Sequence, residues 1–267
     1  MEYLVRYSCL SDIGCCRAVN QDNYICGGQY LTIPEAQEGS RINGTLIPGE
    51  TSVAGVFDGL GGEEQGEMAS FLAAQCAAQI CFAGDPVEEL REYCQNANAM
   101  ICHYASEHQV AAMGTTAAVL AFTKERILLC NIGDSPIFRF GGKKLEKLSV
   151  DHIAPAPFGR KAPLSQNLGI DPAELVIAPY VAVGTYHPGD LYLICSDGLT
   201  DMADETEIGE ILSGTAFEKA ADRLLQLALS RGGRDNVTIL LCRIERAREN
   251  LLHRAAQSVK RIIRSGS

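Results

Sequence analysis

Twice along this chain two helical patterns follow one another with no strand between them, and that succession limits the fold more than any single residue. Residues 63–83 and 86–109 read as consecutive helices split by the turn formers Gly84, Asp85 and Pro86. A second pair, at about 205–213 and 216–230, precedes the last strand. Around them lie short β-type runs: YLVRYS at 3–8, SVAGVF at 52–57, TTAAVLAF at 115–122, RILLCNI at 126–132, LVIAPYVAV at 175–183, LYLICS at 191–196 and VTILLCRI at 237–244. Two helices in a row cannot form the single crossover of a repeated βαβ unit, so the pattern predicts an antiparallel α+β fold. Residues 33–51 are rich in Pro, Gly and polar residues and read as an exposed loop. No internal repeat is evident, and 267 residues suit one sizeable core.

Charge removes some function classes. The formal net charge of -10 argues against a dominant nucleic-acid role, which needs a basic face, and suits cations instead. The eleven cysteines include no CxxC pair and sit mostly in apolar runs, so buried reduced thiols are expected rather than disulfides or a zinc site. The N-terminus has no signal-peptide layout, and the most apolar long segment, 68–83, is too short and too polar to span a bilayer. A cytoplasmic protein is therefore expected.

The acids fall in a pattern. Asp58 follows SVAGVF, Asp134 follows RILLCNIG and Asp197 follows LYLICS, each succeeded at once by Gly or Ser, while Asp235 stands just before the last strand. Any one of these can be a simple turn. Carboxylates at several strand ends, however, can converge beyond a sheet, where they repel unless a cation neutralises them. Oxygen-only donors suit Mg²⁺ or Mn²⁺ rather than zinc. Gly59, next to Asp58, would let a main-chain carbonyl approach such an ion closely.

SDIGCCRAVNQD at 11–22, VFDGLGGEEQGEMAS at 56–70, MGTT at 113–116, NIGDS at 131–135, DH at 151–152, LICSDGLTDM at 193–202 and GGRDNVT at 232–238 together resemble the metal-dependent protein phosphatase family of type 2C, in its compact bacterial form. The resemblance covers roughly residues 3–244. It implies a four-layer α/β/β/α sandwich, two central antiparallel sheets flanked by helices, with two Mn²⁺ or Mg²⁺ ions at one end. Asp58 would bridge the ions, Asp197 and Asp235 would complete the first, and the Gly59 carbonyl would serve the second. Asp134 would share a third, weaker ion with Asp197, Asp22 would orient water, and Arg17 would bind the substrate phosphate.

The implied activity is hydrolysis of phosphoserine and phosphothreonine in proteins by a water or hydroxide bridging two ions, without a phosphoenzyme. The implied partners are phosphorylated proteins, a cognate serine/threonine kinase or its targets. The chain departs from the family at Gln21, where many relatives carry a glutamate, and at Leu60, which cannot donate a proton to a leaving group. The stretch from His152 to Gly169 is shorter than the relatives' flap, and His152 itself reads as structural. The phosphatase domain is expected over residues 1–245. Residues 246–267 read as a basic amphipathic helix, packed on the domain or free to bind a partner. A regulatory phosphoprotein-binding homologue and a metal-dependent nuclease are the rival readings. Retention of all four acids disfavours the first, and the lack of a basic track disfavours the second.

Overall fold

The computed structural model describes residues 3–49, 52–60, 65–155 and 162–247. The expected tail helix at 246–267 lies almost wholly outside them. Eleven strands and six helices are formed among the described residues. In chain order they are β1 (Tyr3–Asp12), β2 (Asp22–Cys26), α1 (Ile33–Glu38), β3 (Ser40–Leu46), β4 (Val53–Asp58), α2 (Gly66–Ala77) and α3 (Pro86–His108). Next come β5 (Ala117–Phe122), β6 (Ile127–Ile132), β7 (Ile137–Gly141), β8 (Lys144–Lys147), β9 (Tyr180–Gly184) and β10 (Leu191–Cys195). The short α4 (Asp197–Thr200), α5 (Glu205–Gly214), α6 (Phe217–Ser230) and β11 (Val237–Arg246) complete the fold.

The strands build a six-stranded sheet, ordered β3-β1-β11-β10-β7-β8, and a five-stranded sheet, ordered β2-β4-β5-β6-β9. Every strand pairing in both is antiparallel. Fully buried strands alternate between two apolar faces, so each sheet separates two cores. Ala117, Val119 and Ala121 of β5 pack against Leu72 and Ala73 of α2 and Leu90, Cys94 and Ile101 of α3. Their neighbours Ala118, Leu120 and Phe122 face the other sheet, meeting Tyr192 and Ile194 of β10 and Leu240 and Cys242 of β11. Beyond that sheet, Leu193, Ile239 and Leu241 pack on Ile208 and Leu212 of α5 and Leu224 and Ala228 of α6. Three cores between four layers make the α/β/β/α sandwich.

The helices start where the chain supplies caps. The Asp85 side chain accepts from Val87 N at 3.0 Å, and Pro86 opens α3, where a missing N–H costs nothing. Asp204 and Glu207 form a reciprocal capping box at the start of α5.

Three local expectations need correcting. Residues 33–51 are not a loop throughout, since they hold α1 and β3. Thr32 and Glu35 close a capping box with Pro34 in the first turn, and Gly39, at φ 74°, ends that helix. The β3 edge strand buries little besides Leu46, so its apolar alternation is too weak to read from sequence. The run at 175–183 becomes a strand only from Tyr180, because Pro179 has no N–H to give a ladder. Finally, β11 extends to Arg246, two residues past the end expected for that strand at Ile244.

Candidate metal centre

Strand direction alone brings the acids to one end of the sandwich. Antiparallel pairing of β4, β5 and β6 puts the C-terminal ends of β4 and β6 on the same side. β2 runs against β4 with Asp22 opposite Asp58. In the other sheet β10 and β11 are antiparallel, so Asp197, which opens α4 just after β10, and Asp235, just before β11, share an end. Asp134 follows Gly133, which turns the chain after β6 at φ 99°.

The two sheets meet electrostatically at this end. Burial pushes the Asp58 carboxyl well above the usual carboxylate range, and the charges of Asp197, Asp22, Asp134 and Asp235 push it further. Asp22 is 1% exposed, and burial above all raises its pKa to about 7, against hydrogen bonds from Ser196 and Thr238 that favour the ionised form. Ser196 Oγ donates to Asp22 Oδ2 at 2.7 Å, while Asp22 Oδ1 is a buried acceptor with no hydrogen-bond donor among the described residues. Asp134 and Asp197 also line a cleft of about 400 Å³ together with Lys147, Asp151, Thr200 and Asp201.

Main-chain anchors hold the acids. Asp58 N donates to Thr116 Oγ1 at 3.1 Å, and its carbonyl accepts from Thr115 Oγ1 at 3.0 Å and Thr116 N at 2.9 Å. Thr116 Oγ1 in turn lies 2.6 Å from Ser135 Oγ, tying the Asp58 and Asp134 turns together. Gly59 N donates to the Gln21 carbonyl at 3.1 Å. A Cβ on Gly59 would lie 2.4 Å from Gly66 O and 2.6 Å from Gln21 O, so no other residue fits there without moving the backbone. Asn236 closes the opposite side: its Nδ2 donates to the carbonyls of Ile13 and Val19, and its Oδ1 accepts from Gln21 N. The 13–21 loop is thereby clamped over Asp235.

That loop delivers Arg17 to the acids. Its guanidinium pairs with Asp235 Oδ2 at 2.7 Å, and Asp235, then Asp58 and Asp197, raise its pKa. With its side chain 38% exposed, it also faces solvent. Asp22, Asp58, Asp134, Asp197, Asp235 and Arg17 are therefore brought together, as are the Gly59 and Gln21 main chains.

His152 is placed by main-chain structure, its N donating to Gly133 O at 3.0 Å. Leu60 N bonds Gly114 O. Of the stretch from His152 to Gly169, residues 156–161 lie outside the described residues; its C-terminal part is bound back by reciprocal Thr115–Leu168 main-chain bonds at 2.9 and 3.0 Å. Ser196, Thr115, Thr116, Ser135 and Asn236 were not singled out from sequence. Ser196, Ser135 and Asn236 each stand next to an acid in sequence, and that adjacency was the available signal; Thr115 and Thr116 lie in MGTT, which holds no acid, and only the fold brings them to Asp58.

The donor set fits hard divalent cations. Among the described residues no three His, Cys, Asp or Glu side chains close into a compact cage. Mg²⁺-like ions are typically held by one or two carboxylates, with water and substrate oxygens completing the shell. Mutually repelling carboxylates, a position beside Asp58 that only glycine fits and a buried Asp22 oxygen without a partner among the described residues match that demand.

Comparison with known proteins decides the family. The protein phosphatase 2C pattern matches residues 47–240. This chain belongs to the protein phosphatase 2C family. It is 31% identical over 206 residues to a serine/threonine phosphatase stp of Listeria welshimeri, covering 70% of this chain and 82% of that one. Against the protein phosphatase PhpP of Streptococcus pneumoniae it is 29% identical over 255 residues, covering 88% and 95%. Its fold superposes with a TM-score of 0.73, at 27% identity, on the catalytic domain of the serine/threonine protein phosphatase PstP in complex with 2 manganese ions, covering 91% of this chain and 100% of that one. The two antiparallel sheets with flanking helices are those of such type 2C phosphatases.

Proposed function

We propose that this chain is a metal-dependent protein serine/threonine phosphatase acting on phosphorylated proteins. The observation that carries the reading is the convergence of Asp22, Asp58, Asp134, Asp197 and Asp235 from both sheets onto one end, where each raises the charge burden of its neighbours. Asp58, Asp197, Asp235 and the Gly59 carbonyl would hold two Mn²⁺ or Mg²⁺ ions, with Asp134 and Asp197 serving a third, weaker one. Such ions supply positive charge that neutralises the phosphoryl group and makes water nucleophilic near neutral pH.

The chain's own groups do the rest. Arg17 leans over the acids on a clamped loop, where its planar guanidinium can grip two phosphoryl oxygens and hold phosphorus for in-line attack. Asp22 Oδ1 is free to accept a hydrogen bond from the attacking water and would so orient it. Ser196, held by Thr238 N at 2.9 Å, keeps that carboxylate in place through Oδ2. Leu60 offers no proton, so the leaving alkoxide would take one from solvent.

The eleven unpaired thiols suit a reducing cytoplasm. No helix among the described residues is long and apolar enough to cross a membrane. The phosphatase unit is taken as 1–245, and the tail beyond it as a candidate partner-binding segment.

The test is hydrolysis of a phosphothreonine peptide by the full chain with Mn²⁺ and with EDTA, beside Asp58→Asn. Metal-dependent turnover lost in the variant is the expected result. Turnover that survives both EDTA and the substitution would remove the reading.

A further inference from the structure

Gln21 and Glu67 form a hydrogen-bonded pair beside the Gly59 main chain, Gln21 Nε2 donating to Glu67 Oε2 at 3.3 Å. We infer that Glu67 is a positioning residue for the ion at the Gly59 carbonyl, acting through the Gln21 amide; this rests on the metal-dependent reading above.

The Gln21 side chain lies against Gly66, the residue that opens α2. A Cβ at Gly66 would come within 2.7 Å of Gln21 Nε2 and 3.1 Å of the Gly59 carbonyl carbon, so the amide and that carbonyl flank the same point. Gln21 is also tied to Gly59 through its main chain, whose oxygen accepts from Gly59 N at 3.1 Å. An amide at this position could present either end to an ion, and only one end helps: oxygen binds a hard cation or its water, whereas NH₂ repels it.

Glu67 decides which end is presented. An ionised carboxylate only accepts hydrogen bonds, so it holds the NH₂ and leaves Oε1 at the end of the amide turned away from Glu67. The reverse orientation would set a carbonyl oxygen against a carboxylate. Glu67 also adds one negative charge in the first turn of α2, where the helix end favours it. The pair thus divides the work between two residues: Gln21 contributes the oxygen, and Glu67 the charge and the orientation. Groups behind a ligand commonly matter about ten- to a hundredfold for metal affinity.

The experiment is calorimetric titration of EDTA-stripped full-length protein with Mn²⁺, for wild type, Glu67→Gln, the double variant Gln21→Glu with Glu67→Gln, and Asp58→Asn. Wild type should take up at least two ions. Glu67→Gln should weaken the weaker of the two about tenfold and leave the tighter within about twofold. Restoring a carboxylate at position 21 in that background should recover the lost affinity, which a merely structural role for Glu67 would not allow. A Glu67→Gln isotherm that matches wild type overturns the inference, as does a loss that Gln21→Glu does not repair. Wild-type protein that binds no Mn²⁺ would instead remove the metal-dependent reading itself, and unaltered binding in Asp58→Asn would do the same.

Discussion

The middle and the end of the five-stranded sheet are made by the same strands under opposite physical rules. Along β5 every side chain is buried and apolar, and Val119 and Leu120 feed cores on either side. A few residues away, β4 ends in Asp58 and β2 begins with the buried Asp22, groups whose ionised forms burial opposes. The first region stabilises the fold at about 25 cal/mol per Å² of apolar surface removed from water. The second costs stability and has no reason to persist unless cations or substrate use it. Buried, like-charged acids mark function here because folding alone would have selected against them.

The sharpest way to break this contrast is one substitution in each region. Asp58→Asn should lower Mn²⁺-dependent kcat/KM by about two to three orders of magnitude, as loss of a main electrostatic element does. The same change should raise the Tm of the EDTA-treated protein by a few degrees, because one repelling charge is gone. Leu120→Ala should do the reverse: a loss of about 2–5 kcal/mol in denaturant unfolding, with kcat/KM near wild type while the protein stays folded. An Asp58→Asn protein that is both active and less stable would erase the distinction.

Arg17 tests the border between the regions at intermediate size. A charge-assisted contact to phosphate is worth about 1.5–3 kcal/mol, so Arg17→Ala should lose about ten- to a hundredfold in kcat/KM, mostly as a higher KM. Arg17→Lys should recover only part, since a point charge cannot reproduce the two-pronged contact. The ion pair with Asp235 adds a second readout. Removing a cation from a ligand should tighten Mn²⁺ binding, but by no more than about threefold, because the pair is partly solvated. Steady-state kinetics and Mn²⁺ titration of both variants check the two effects separately. Wild-type kcat/KM in Arg17→Ala would return this arginine to the role of a surface charge.

A pH slope on the metal-free fold, with no change in activity as its readout, comes last. Asp22 ionises near 7 in the fold and near the ordinary carboxylate value when unfolded, so its protonated form favours the folded state. Its contribution is present at low pH and is lost as pH rises through about 4 to 7. The EDTA-treated protein should therefore lose several degrees of Tm across that window relative to Asp22→Asn. Saturating Mn²⁺ should flatten the difference by favouring the ionised form. Identical pH profiles for the two metal-free proteins would show that Asp22 is not held protonated.

How much of the site was legible depended on where each residue stands. Asp58, Asp134, Asp197 and Asp235 could be read because each sits at the edge of a strongly apolar run, so periodicity announces both strand and terminus. The helix pairs were legible for the same reason, aided by Asp85 and Pro86. β2, β7 and β8 were not singled out. β2 is five residues long, and β7 and β8 carry Arg139 and three lysines or glutamates that blur any alternation.

Local chemistry was thus enough to fix an antiparallel α+β chain with acids at its strand ends, because side-chain period and turn residues are properties of neighbours in sequence. Only the tertiary structure decided what those acids face. The burial of Asp22, the Arg17–Asp235 pair, the Asn236 clamp on the 13–21 loop and the Gln21–Glu67 contact join residues from 46 to 218 positions apart. Charge repulsion and desolvation depend on distance in space, and the sequence acquires those distances only when two sheets close on a common core.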